Sequence, residues 1–105
     1  MKMKTLSLPR LDRLSPTLES TALKLMEETG ELAQAIGKFR GMNGEETTAS
    51  EAEVRERISS ELLDVAQTAV TMMFVMEEKY GVNIDSVVEK HLQKLAERHY
   101  LTQDE

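Results

Sequence analysis

The sequence predicts an all-α fold, with three main antiparallel helices forming a bundle that is completed by oligomerisation. Three observations carry this expectation. Apolar residues recur at three-to-four-residue spacing in three separate segments, as on one face of a helix. Helix-starting and helix-stopping residues bound those segments, and none alternates polar with apolar residues as a half-buried strand does. Finally, 105 residues with 40% hydrophobic and 30% charged content suit one domain with a small core, a size at which association between chains often completes burial.

Residues 1–14 read as an amino-terminal arm. Ser15-Pro16 then signals a helix start, with serine as the N-cap and proline at the first helical position, so the first helix is expected over residues 15–39. Gly37 weakens its last turn, and the glycine, asparagine and threonine content of residues 40–49 predicts a mobile loop. Ser50-Glu51-Ala52-Glu53 has the form of a capping box, which places a second helix over residues 50–80, ended by Gly81. Asn83 caps a third helix over residues 83–101, with the stripe Ile84, Val87, Val88, Leu92 and Leu95. Between Val65 and Met76 only Gln67, Thr68 and Thr71 interrupt apolar residues. A helix apolar on nearly every side is normally buried, and two further helices cover only part of its circumference, so a homodimer or homotetramer is expected. The methionines at 72, 73 and 76 fit core or subunit contact.

Two carboxylate doublets stand inside these apolar stripes: Glu28-Thr29-Gly30-Glu31 and Glu61-Leu62-Leu63-Asp64. Residues three apart on a helix lie about 60° apart around the axis, so each doublet presents two acids on one face. Glu28 lies in or beside the first apolar row, and Glu61 takes a position in the row Ile58, Val65, Thr68, Met72, Val75 that the pattern would otherwise give to an apolar residue. Burying so much like charge is very costly unless a hard divalent cation compensates, which suggests magnesium. The chain's third acid-x-x-acid match, Glu53 to Glu56, lies in a mixed-charge stretch and reads as a solvated face.

Composition narrows the functional classes. There are no cysteines, which removes disulfide frameworks, thiolate zinc sites and cysteine nucleophiles. A net charge of −6 opposes non-specific attraction to a nucleic acid polymer, and four aromatic residues (Tyr plus Phe) give no stacking patch. The basic amino terminus lacks the apolar core of a signal peptide, and no apolar run is long enough to span a bilayer, so a cytoplasmic protein without a membrane partner is expected.

The segments Glu27-Glu28-Thr29-Gly30-Glu31-Leu32-Ala33 and Glu61-Leu62-Leu63-Asp64-Val65 resemble the signature of MazG-like nucleoside triphosphate pyrophosphohydrolases, and the resemblance covers all three helices. It implies an all-α enzyme that uses magnesium, with manganese as the alternative ion, to hydrolyse ribo- or deoxynucleoside triphosphates to monophosphate and pyrophosphate. It also implies Glu28, Glu31, Glu61 and Asp64 as metal ligands, with Glu31 and Glu61 as catalytic groups and Glu31 the first candidate for the base. Twenty-nine residues separate Glu31 from Glu61, at or just past the long end of the family's range; an enlarged loop explains this without moving the acids. Such proteins tend to carry a basic residue on the last helix, which Lys94 and Arg98 match, with His91 on the same face. Lys38 and Arg40 stand near the loop, within reach of a phosphate, and His99 reads as surface.

Three other readings compete. Phosphoribosyl-ATP pyrophosphohydrolase is the nearest, but Val65-Ala66-Gln67-Thr68 stands where a Tyr-His pairing is expected. A carboxylate-bridged di-iron bundle needs Glu-x-x-His, and neither His91 nor His99 has a glutamate three residues before it. A non-catalytic helical interaction protein would fold alike with or without magnesium.

Overall fold

The computed structural model describes residues 1–41 and 50–102. It contains three helices, α1 (Leu18–Phe39), α2 (Glu51–Tyr80) and α3 (Ile84–Glu97), and no strand among the described residues. Residues 42–49, most of the expected loop, lie outside the described residues.

Local chemistry sets most helix ends. The first helix begins at Leu18, not at Ser15-Pro16 as the sequence suggests. Thr17 is the cap: the Ser20 N–H donates to Thr17 Oγ1 at 3.0 Å, and the Thr17 N–H donates to Ser20 Oγ at 2.9 Å. This reciprocal pair satisfies two otherwise free amides, where Ser15 alone offers one hydroxyl. Ser50 caps α2 by accepting the Glu53 N–H at 3.2 Å, the serine half of the expected box. Gly81 ends α2 at φ +66°, and Asn83 caps α3 by accepting the Ser86 N–H at 3.1 Å.

The third helix ends at Glu97, four residues short of the expected 101. The Tyr100 N–H reaches back to the Leu95 carbonyl and the His99 N–H to the Ala96 carbonyl, both at 3.0 Å, with His99 left-handed at φ +63°. This bond pair is a Schellman motif, built with histidine where glycine usually stands.

Packing is uneven. The α1 and α2 helices form the one extensive helix pair, and they run antiparallel: Pro16, just before α1, accepts a bond from Lys79 near the end of α2, while Glu28 further along meets Glu61. Their contact buries Thr21, Glu28 and Ala35 of α1 with Val54, Thr68, Thr71 and Val75 of α2. By contrast α3 buries no residue, so it stands off this pair and does not fold back as a third bundle member. The radius of gyration is 17.2 Å, against about 13 Å for a compact chain of this length. Leu62, Leu63 and Met73 of α2 and Val87 and Val88 of α3 are all exposed.

The arm has no regular structure but is tied across α2. Gln67 Nε2 donates to the Pro9 carbonyl at 2.9 Å, and the Arg10 guanidinium forks onto the Glu78 carboxylate, one arm of the fork at 3.1 Å. These ties lay Leu11 and Leu14 over the junction of α1 and α2.

Candidate metal centre

At the α1–α2 contact, Glu28, Glu31 and Glu61 each bring a carboxylate oxygen within 4.8 Å of the others. Helical phase explains the convergence. Glu28 and Glu31 share a face of α1 at i,i+3, and Glu61 meets them from the antiparallel partner helix. Glu28 is only 6% exposed, Glu31 and Glu61 are half-buried, and Asp64 is exposed.

The electrostatics of this cluster are incomplete as they stand. Glu28 Oε2 and Glu61 Oε2 are both sealed from solvent, and neither finds a hydrogen-bond partner among the described residues. Glu28 Oε1 is met by Lys24 Nζ at 3.0 Å. The Glu31 carboxyl is held above the usual glutamate range, first by the negative charge of Glu28, then by partial loss of water and by the charge of Glu61. Buried polar atoms are nearly always paired, and two clustered glutamates that each keep a buried, unpartnered oxygen are an arrangement a hard cation completes. The donor set, carboxylate oxygens alone, fits magnesium or manganese.

Asp64 stands apart from the three clustered acids. It lines an adjoining cavity of about 460 Å³ together with Lys24 and Glu28. The arm contributes Leu11, Leu14, Ser15 and Pro16 to its walls, and α2 contributes Gln67, Thr68 and Thr71. A second cavity of about 310 Å³ lies on the other side of Leu11 and Leu14, next to the Arg10–Glu78 pair.

The five basic candidates from sequence lie elsewhere. Lys38, Arg40, His91, Lys94 and Arg98 line neither cavity. Arg40 caps α1 with its guanidinium 5.1 Å above the Phe39 ring, while His91 and Lys94 of α3 and Arg98 at its C-cap are exposed, on a helix that barely touches the other two. Sequence reasoning missed Lys24, although its i,i+4 relation to Glu28 is legible in the chain. The signal for the cavity wall was also present: Gln67, Thr68 and Thr71 are the same three residues that interrupt the apolar stretch of α2.

The family profile of the MazG nucleotide pyrophosphohydrolase domain matches residues 16–101. The uncharacterized protein YvdC of Bacillus subtilis (strain 168) is 33% identical over 76 residues, which cover 70% of this chain and 68% of the relative. No solved structure matches. Among the described residues no helix is long and apolar enough to cross a membrane.

Proposed function

Because this chain belongs to the MazG nucleotide pyrophosphohydrolase family, we propose that it hydrolyses ribo- or deoxynucleoside triphosphates to nucleoside monophosphate and pyrophosphate, with water attacking the α-phosphorus. The observation that carries this reading is the pair of sealed, unpartnered oxygens of Glu28 and Glu61 beside Glu31. These three acids would hold magnesium or manganese, and Asp64, on the adjoining wall, is the fourth ligand the family pattern implies. The bound ion supplies charge stabilisation at phosphate oxygens and an acidified water.

The chain's own groups do the rest. Glu28 is fixed by burial, so its unpartnered oxygen needs little reorganisation on loading. Glu31 is more solvated than Glu28, and an oxygen of Glu31 not engaged by the ion would take the proton of the attacking water. The neighbouring cavity of about 460 Å³ has room for a nucleoside; its apolar arm residues shed water while Gln67, Thr68 and Thr71 offer hydrogen bonds. Exposed apolar residues on α2 and α3 support assembly as a homodimer or homotetramer.

The test is incubation with magnesium and a panel of ribo- and deoxynucleoside triphosphates, with products resolved by chromatography and Glu61→Gln as control. Monophosphate plus pyrophosphate from the wild type alone is the expected result. Diphosphate plus phosphate would refute the bond assignment. Turnover of phosphoribosyl-ATP alone would move the protein to that relative's reaction, and no turnover of any of these would leave the interaction-protein reading.

A further inference from the structure

Among the described residues Lys24 is the one cation lining the 460 Å³ cavity, and it is paired with the most buried of the clustered acids. Resting on the reading above, we infer that Lys24 is an exchangeable counter-ion: it holds Glu28 in the free protein, and leaves it for the substrate's phosphates when a divalent cation takes Glu28.

Three features of the site carry this. Glu28 is too buried to be held as an unpaired anion, so without a metal its charge needs another cation, and Lys24 Nζ at 3.0 Å provides one. The Lys24 side chain is itself 54% exposed and lies 3.5 Å from Glu27 as well, so its flexible stem can swing without disturbing the core. Finally, an ammonium and a dication on the same carboxylate repel each other, so loading the acids favours release of Lys24 toward the cavity it already lines. The same lysine thus opposes metal binding in the free protein and favours the metal–nucleotide complex.

Isothermal titration of the full chain with magnesium alone, then with a non-hydrolysable α,β-imido triphosphate at saturating magnesium, reads both halves. Lys24→Met should bind magnesium about threefold more tightly and the analogue about tenfold more weakly than wild type. Lys24→Arg should recover most of the analogue affinity. Lys90→Met, an equal charge change on α3 away from both cavities, should move neither constant by more than about twofold. Equal behaviour of Lys24→Met and Lys90→Met would overturn the inference, as would parallel weakening of both ligands by Lys24→Met, the mark of a merely structural role. Glu28→Gln separates the two levels. If it loses magnesium while Lys24→Met titrates as wild type, the counter-ion inference alone fails; if it binds magnesium as wild type does, the metal-site reading fails with it.

Discussion

Replacing Glu61 with glutamine should make the metal-free protein more stable and the magnesium-loaded protein less stable than wild type. Glu28 and Glu61 approach within 4.8 Å through one oxygen each. Two full charges at that separation repel by about 3.5 kcal/mol at an effective dielectric of about 20, and by about 1 kcal/mol in bulk water. Glu28 is sealed and Glu61 half-buried, which favours the upper part of this range, while Lys24 offsets some of it. Glutamine keeps the volume of Glu61 and donates a hydrogen bond to a neighbouring carboxylate. With that offset, the metal-free variant is expected to exceed metal-free wild type by about 1–2 kcal/mol, or roughly 4–8 °C in Tm per kcal/mol for a domain of this size. Magnesium at about 100 times its Kd adds about 2.7 kcal/mol to a protein that binds it only when folded, and the variant should lose most of that gain. Four thermal unfolding curves by circular dichroism, wild type and variant in EDTA and in magnesium at one protomer concentration, give the result. The order should reverse between the two media. A variant less stable than wild type in EDTA, or one that gains as much from magnesium, would refute the argument that these acids are held together against repulsion and relieved by a cation.

Other consequences follow from residues away from the cluster. His99 occupies a left-handed cap position that costs a side-chain-bearing residue about 1 kcal/mol, so His99→Gly should slow amide hydrogen exchange at Tyr100 several-fold. Arg10 holds the Glu78 carboxyl below the ordinary glutamate range through their hydrogen-bonded pair. An acid whose folded value is lowered contributes stability above its unfolded value of about 4.3, and that contribution disappears as pH falls through the lowered value. The arm should therefore stay docked at neutral pH and loosen only at more acid pH, whereas in Arg10→Ala it should be loose throughout, as read by nitrogen-15 relaxation of residues 6–14. Met73→Lys and Val88→Lys put charge on exposed apolar faces of α2 and α3, and for the proposed homo-oligomer each should lower the mass found by sedimentation toward that of one chain.

The all-α fold was legible in the chain because helix periodicity and caps are local: Ser50, Gly81 and Asn83 act through backbone groups within a few residues, and the structure finds each at its expected end. The same locality misled at the other two ends. Thr17 competes with Ser15 for the start of α1, and the bond pair closing α3 sets a histidine where no glycine advertises the stop. For the site, helical spacing alone set Glu28 and Glu31 on one face, and the interruption of an apolar row marked Glu61 as inward. Which acids meet was decided by the antiparallel pairing of α1 and α2. That pairing brings Glu61 to the α1 doublet and leaves Asp64 on the cavity wall, a difference between two doublets of equal spacing that no local pattern encodes.

The sequence by itself determined the helix count, the two acid doublets and the family. Only the tertiary structure decided what surrounds them. The arm walls the cavity through long-range bonds from Gln67 to Pro9 and from Arg10 to Glu78, contacts 58 and 68 residues apart that no local pattern encodes. It also left α3 with no buried residue and little contact with α1 and α2 among the described residues, an outcome its apolar stripe does not foretell.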